Sequence, residues 1–119
     1  MSEEKTVEDV AREKAEALQE ALKKLEEISK TKEGKKSLSF ARDRVDVALK
    51  RTKKCDILGM LWAMYELGEF VESWYANEKP KVRWGEEEDP LNDYYRKLFL
   101  FKRALDRLFR ERCICKTKK

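Results

Sequence analysis

Histidine is absent from this 119-residue chain. Its absence removes the commonest general base and the commonest zinc ligand, so a zinc site would have to be completed by carboxylates. No glycine-rich phosphate loop of the Walker type and no Gly-x-Ser-x-Gly elbow occurs, and no nucleophile stands beside a base. The chain is therefore expected not to be an enzyme on its own. Only four glycines and two prolines are present, and helix breakers cluster in one stretch, which favours an all-helical bundle. No run of 18 apolar residues exists, and the charged N-terminus has no apolar segment of the kind that directs secretion. Cysteine is scarce and odd in number: Cys55, Cys113 and Cys115. A two-residue offset makes a poor disulfide or metal pair, so all three are read as free thiols in a reducing compartment. A soluble, cytoplasmic protein is the expectation.

What the chain does have is charge, 44% of its residues, beside 41% hydrophobic residues, enough for one core. The expected architecture is all-α: one domain, residues 1–119, forming a compact bundle of four to five helices around a central apolar helix, with 1–5 and 115–119 frayed. The charge is uneven. Residues 57–78 sum to −4 and residues 91–119 to +7 within a net +4. Where the basic residues sit matters more than their total.

Thr6 is placed to cap a first helix, with Asp9 three residues on to complete a capping box. Val7, Ala11, Ala15, Leu18, Ala21, Leu22 and Leu25 then recur at helical spacing. Residues 30–37, K-T-K-E-G-K-K-S, contain Gly34 and no apolar side chain, and read as a loop. A second helix is expected from about 37 to 54. Its core stripe includes Leu38, Val45 and Leu49, while Phe40, Arg44, Val47 and Arg51 line another face that either covers a neighbouring helix or forms a second contact surface. Residues 56–75, capped by Asp56, carry apolar residues nearly all round, so burial on several sides is predicted, with Trp62 and Trp74 mostly core. Gly59 and Gly68 within them are expected to mark close approach of a neighbouring helix.

Residues 76–90 form a long break. There Lys79, Lys81, Arg83 and Trp84 place a flat ring among cations, suited to stacking a base beside phosphate, although Trp84 folding back onto the core explains the same residues. Glu86, Glu87, Glu88 and Asp89 lead into a last helix at residues 91–113, with Asp89 as cap and Pro90 at the first position, so helix-end electrostatics account for them without a metal. On that helix Arg96, Arg103, Arg107 and Arg110 share one stripe, with Tyr95 and Phe99 along its edge. Arginine gives bidentate phosphate contacts and stacks on bases, so Arg44, Arg51, Lys81, Arg83, Trp84, Tyr95, Arg96, Phe99, Arg103, Arg107 and Arg110 are the candidate nucleotide- or nucleic-acid-binding residues.

The histidine-free layout, the aromatic-rich D-I-L-G-M-L-W-A-M-Y-E-L and the basic Y-Y-R-K-L-F-L-F-K-R together resemble the helix-bundle domain that follows the catalytic module in primase-polymerases of archaeal plasmids. That domain is similar to the accessory part of archaeal and eukaryotic primases. The resemblance implies binding of a single-stranded DNA template and of nucleoside triphosphates such as ATP, with Mg at most arriving on the nucleotide. A separate catalytic primase-polymerase domain would be the partner, and no membrane would be involved. The alternative is a non-enzymatic helical adaptor, or a viral or plasmid structural protein, whose Phe40 and Phe99 surfaces receive a partner helix.

Overall fold

The computed structural model describes residues 5–80 and 89–114. They form four α-helices: α1 (Val7–Glu27), α2 (Lys32–Lys53), α3 (Ile57–Glu78) and α4 (Pro90–Phe109), the last continuing into a wider π-helical turn, Arg110–Ile114. The all-α bundle matches the expectation. Among the described residues no helix is long and apolar enough to cross a membrane.

Local chemistry explains most helix starts. Thr6 accepts from the Asp9 amide at 3.0 Å while the Asp9 carboxylate accepts from the Thr6 amide, the reciprocal capping box that the sequence predicts. Asp56 accepts from the Gly59 amide at 2.9 Å, and Asp89 accepts from Leu91 with Pro90 in the first turn. The expected loop at 30–37 is corrected, because α2 already begins at Lys32. Glu78, at the end of α3, accepts hydrogen bonds from the amides of Lys30 and Thr31 and from the Thr31 hydroxyl, and Thr31 in turn caps Gly34. A Cβ on Gly34 would stand 2.6 Å from the Glu78 carboxylate, so this glycine marks a close approach rather than a turn.

Packing runs in the order α3, α2, α1, α4. The long seams are α2 with α3, α1 with α4, and α1 with α2, and α2 also touches α4. The shortest dimension of the molecule, 19 Å, is about two helix diameters. The buried residues form one cluster, with Leu18, Leu22, Leu25, Leu38, Trp74, Phe101 and Leu108 among its most enclosed members. Trp74 is fixed there by its indole N–H, which donates to the Ser29 hydroxyl at 2.7 Å; that hydroxyl donates onward to the Leu25 carbonyl. A buried indole needs such a partner, and here it comes from the turn between α1 and α2.

Two expectations about this core are corrected. Trp74 is buried, but Trp62 is 57% exposed, and Leu58, Leu61 and Tyr65 are exposed with it. The α3 helix therefore buries one stripe (Met60, Ala63, Leu67, Val71, Trp74) and presents a second, Leu58, Leu61, Trp62 and Tyr65, to solvent. The cysteines are not all free thiols either. Cys55 and Cys113 form a disulfide with Cα atoms 5.6 Å apart across 58 residues of sequence. The fold brings the α2–α3 turn against the π-helical turn after α4, where Arg112 also bonds the Lys53 carbonyl and the Glu8 carboxylate. Cys115 lies outside the described residues.

Candidate interaction groove

The helices α3 and α4 run side by side without a close helix–helix seam. Two hollows lie between them instead. One, of about 520 Å³, is lined by Ile57, Met60, Leu61, Met64 and Tyr65 of α3 and by Lys102, Leu105, Asp106 and Phe109 of α4. The other, of about 500 Å³, lies nearer the opposite end, between Gly68, Val71, Glu72 and Tyr75 of α3 and Leu91, Tyr94, Tyr95 and Leu98 of α4. Residues 57–76 line the α3 side, a length of about 30 Å at 1.5 Å per residue. The groove is tethered at both ends. Residues 79–89 join α3 to α4 at one end, and the Cys55–Cys113 disulfide ties the start of α3 to the residues just after α4 at the other.

Sequence periodicity explains how α3 serves a wall and the core at once. Its buried stripe recurs at i, i+3, i+7, i+11 and i+14 from Met60, while Leu58, Leu61, Trp62 and Tyr65 recur at i, i+3, i+4 and i+7, one strip around the helix. Trp62 and Tyr65 stack with ring centroids 5.4 Å apart and form an aromatic shelf beside the groove. Gly68 has no atom within 4 Å of where a Cβ would stand. It therefore deepens the groove, which corrects the expectation of a close helix contact; at Gly59 the contact is real, with the Arg51 side chain of α2 at 2.7 Å.

The two helices differ in charge, although among the described residues the charged ones that line the groove itself are Glu72 from α3 and Lys102 with Asp106 from α4. Every charged residue of α3 is acidic (Glu66, Glu69, Glu72, Glu78), whereas α4 carries Arg96, Lys97, Lys102, Arg103 and Arg107 against Asp93 and Asp106. Glu66 is paired with Arg44 at 3.1 Å and Glu78 holds the Thr31 cap. Among the described residues Glu72 on the α3 wall and Lys102 on the α4 wall form no ion pair; Asp106, also on the α4 wall, pairs with Arg110, and Arg103 lines a different hollow, with Val10 and Lys14 of α1. Glu69 accepts from the Tyr65 hydroxyl at 3.2 Å, and its hydrogen bond and negative charge raise the Tyr65 phenol above its ordinary value.

The residues singled out from sequence fall in different places. Arg44 and Arg51 sit at the α2–α3 seam: Arg44 pairs with Asp43 and Glu66, and Arg51 donates to the Gly59 carbonyl at 3.0 Å. Phe40 packs on Phe70 with centroids 5.2 Å apart, so that face of α2 largely covers α3. On α4 and the π-helical turn that follows it, Tyr95, Arg96, Phe99, Arg103, Arg107 and Arg110 are exposed. Much of their charge is locally matched, since Arg107 pairs with Glu111 at 2.9 Å, Arg110 with Asp106 at 3.1 Å, and Arg96 lies 3.8 Å from Asp93. Arg103 lies over the Phe99 ring at 5.7 Å. Lys81, Arg83, Trp84 and Glu86 to Glu88 lie outside the described residues. Among the described residues no group of three cysteine or carboxylate side chains is placed to hold a metal ion. Sequence reasoning missed Leu58, Leu61, Trp62, Tyr65, Glu69, Glu72 and Lys102 as one surface. The second i, i+3, i+4, i+7 stripe on α3, and the change from an acidic to a basic helix, were the signals for it.

No protein-family model, no curated protein and no solved structure matches this chain. The descriptive terms that came with the resemblance to primases (primase, DNA-binding, ATP, plasmid and archaeal) are corrected accordingly: none has support from a relative.

Proposed function

We propose that this chain is a non-catalytic interaction module, and that the α3/α4 groove is its working surface. One observation carries the reading: two adjacent helices are held side by side by covalent links at both ends, yet leave an apolar, aromatic-edged groove between them. A groove of about 30 Å suits an amphipathic helix of about five turns, which binds by placing side chains at i, i+3, i+4 and i+7 into such hollows. Tethering both walls lowers the ordering cost of binding. Trp62, Tyr65, Tyr95 and Phe99 supply the large, stiff rings that dominate interface energetics, with Arg103 beside them. The Cys55–Cys113 link removes the free-thiol argument for a cytoplasmic setting and fits an oxidising compartment.

The test is a titration of protein labelled at its methionine methyls with a synthetic amphipathic helical peptide bearing leucines at i, i+3, i+4 and i+7. Met60 and Met64 line the groove, so their methyl resonances are expected to shift, and Leu61→Glu is expected to weaken binding by about tenfold. Methyl resonances that stay fixed up to millimolar peptide, for every register and charge pattern tried, would overturn the proposal.

A further inference from the structure

The four helices form two pairs. One is α2 with α3 and the other is α1 with α4; the α1–α2 seam joins them along one side, and the groove opens on the other. Successive helices reverse direction, so the start of α1, the turn between α2 and α3 and the residues after α4 share one end of the bundle, where Arg112 reaches both Glu8 and Lys53. The Cys55–Cys113 disulfide ties one pair to the other at that end. It stands beside one hollow in particular. Ile57 lies two residues after Cys55 and Phe109 four before Cys113, and both line the hollow of about 520 Å³ that holds Met60 and Met64. The far end has its own anchors, since Trp74 bonds Ser29 and Glu78 bonds Lys30 and Thr31 there. We infer that the disulfide is a redox clasp: oxidation of the cysteine pair sets the spacing of α3 and α4 at the near hollow and makes the groove competent to bind, and reduction releases that end without unfolding the bundle. This inference gives the groove a regulation and rests on the groove being an interaction surface.

The pair is placed for exchange with thiols in solution. Cys55 is exposed and Cys113 half-buried, and Lys53, Lys54 and Arg112 adjoin them in sequence, positive charge that draws in an attacking thiolate. In the reducing direction a small-molecule thiolate attacks the Cys55 sulfur. The S–S bond breaks, its electron pair leaves on the Cys113 sulfur, which takes up a proton, and a mixed disulfide remains on Cys55. A second thiolate attacks the small-molecule sulfur of that mixed disulfide and releases the Cys55 thiolate, which is protonated in turn. The cysteine pair has gained two electrons and two protons, and two small-molecule thiols have become one disulfide. The oxidising direction reverses each step, with a small-molecule disulfide as the oxidant. Neither the α2–α3 seam nor the α1–α4 seam uses the sulfurs, so both helix pairs survive reduction, whereas α3 and α4 have no close seam of their own to keep their spacing. The exposed Arg112 hydrogen bond to the Lys53 carbonyl is a far weaker tie than the covalent one.

The test is the peptide titration, read at the Met60 and Met64 methyls of the full chain carrying Cys115→Ser, which removes the third thiol from the exchange. The oxidised chain is expected to bind the amphipathic helical peptide, and the chain reduced with dithiothreitol to bind it about tenfold more weakly, as for a groove in its competent state about one-tenth of the time. Re-oxidation with oxidised glutathione should restore the affinity, and adding Cys55→Ser with Cys113→Ser should give the weak affinity whatever the reductant. By linkage, bound peptide should protect the disulfide by the same factor, read from the glutathione buffer that half-reduces the chain. The Trp74 indole resonance, at the far end, should stay in place in both states and report an intact fold. Equal affinity in the two states, or a Trp74 resonance that collapses on reduction, overturns the clasp. An oxidised chain that ignores the peptide overturns the groove reading instead, and the clasp is then overturned as well if the Met60 and Met64 methyls of the peptide-free chain do not shift on reduction.

Discussion

Ser29 shows how much of this fold hangs on single polar contacts. Its hydroxyl is the acceptor for the buried Trp74 indole, and the ring is 1% exposed. Ser29→Ala strands that N–H without water, and a loss of about 1–3 kcal/mol in unfolding free energy is expected from denaturant titration. Restoring an acceptor with Ser29→Thr should recover part of it. Neither partner is legible as such in the sequence, because 45 residues separate them and a serine between two helices reads as an ordinary cap or turn residue. Trp62 shows the opposite error. Apolarity all round a helix says that it seeks cover but not which side receives it from its own chain, so Trp62 and Trp74 look alike in sequence and differ in the fold.

Among the elements, helix starts that depend on neighbours three residues away were readable: Thr6 with Asp9, Asp56 with Gly59, and Asp89 before Pro90. The start of α2 was not, because its anchor is Glu78, 47 residues from Thr31. That anchor has a pH signature. The Thr31 hydroxyl, then the Lys30 and Thr31 amides, hold the Glu78 carboxyl below its ordinary 4.5, so the folded state favours the ionised form. Its contribution is therefore complete above about pH 4.5 and is lost as pH falls through the lowered folded value. Glu78→Gln should cost about 1 kcal/mol at neutral pH, reduced by partial solvent exposure, and the cost should shrink on acidification. Urea titrations at neutral and acidic pH, wild type against variant, check both the size and the direction.

At the scale of the whole molecule, the Cys55–Cys113 link closes a loop of 58 residues that holds α3 and α4. Chain-entropy arguments assign such a loop about 4 kcal/mol, so Cys55→Ser with Cys113→Ser should lower stability by up to that amount in a denaturant titration. The groove, which has no α3–α4 seam to hold it, should loosen first, read as faster amide exchange along α3 and α4 than along α1 and α2. The bundle class was legible from composition and periodicity. The open α3/α4 side was not, because it depends on which helices pair. We propose that this open side is a surface for association rather than a piece of the core. Thermal melts of wild type and of Leu58→Lys/Leu61→Lys/Trp62→Lys, each with and without about 500 µM of the amphipathic helical peptide, test it most directly, since a ligand that binds the folded state raises its melting temperature. The prediction is a wild-type midpoint that rises with peptide and a triple variant that melts at the peptide-free wild-type value with or without it. A wild-type midpoint that ignores the peptide, or a triple variant that is unfolded, would contradict it.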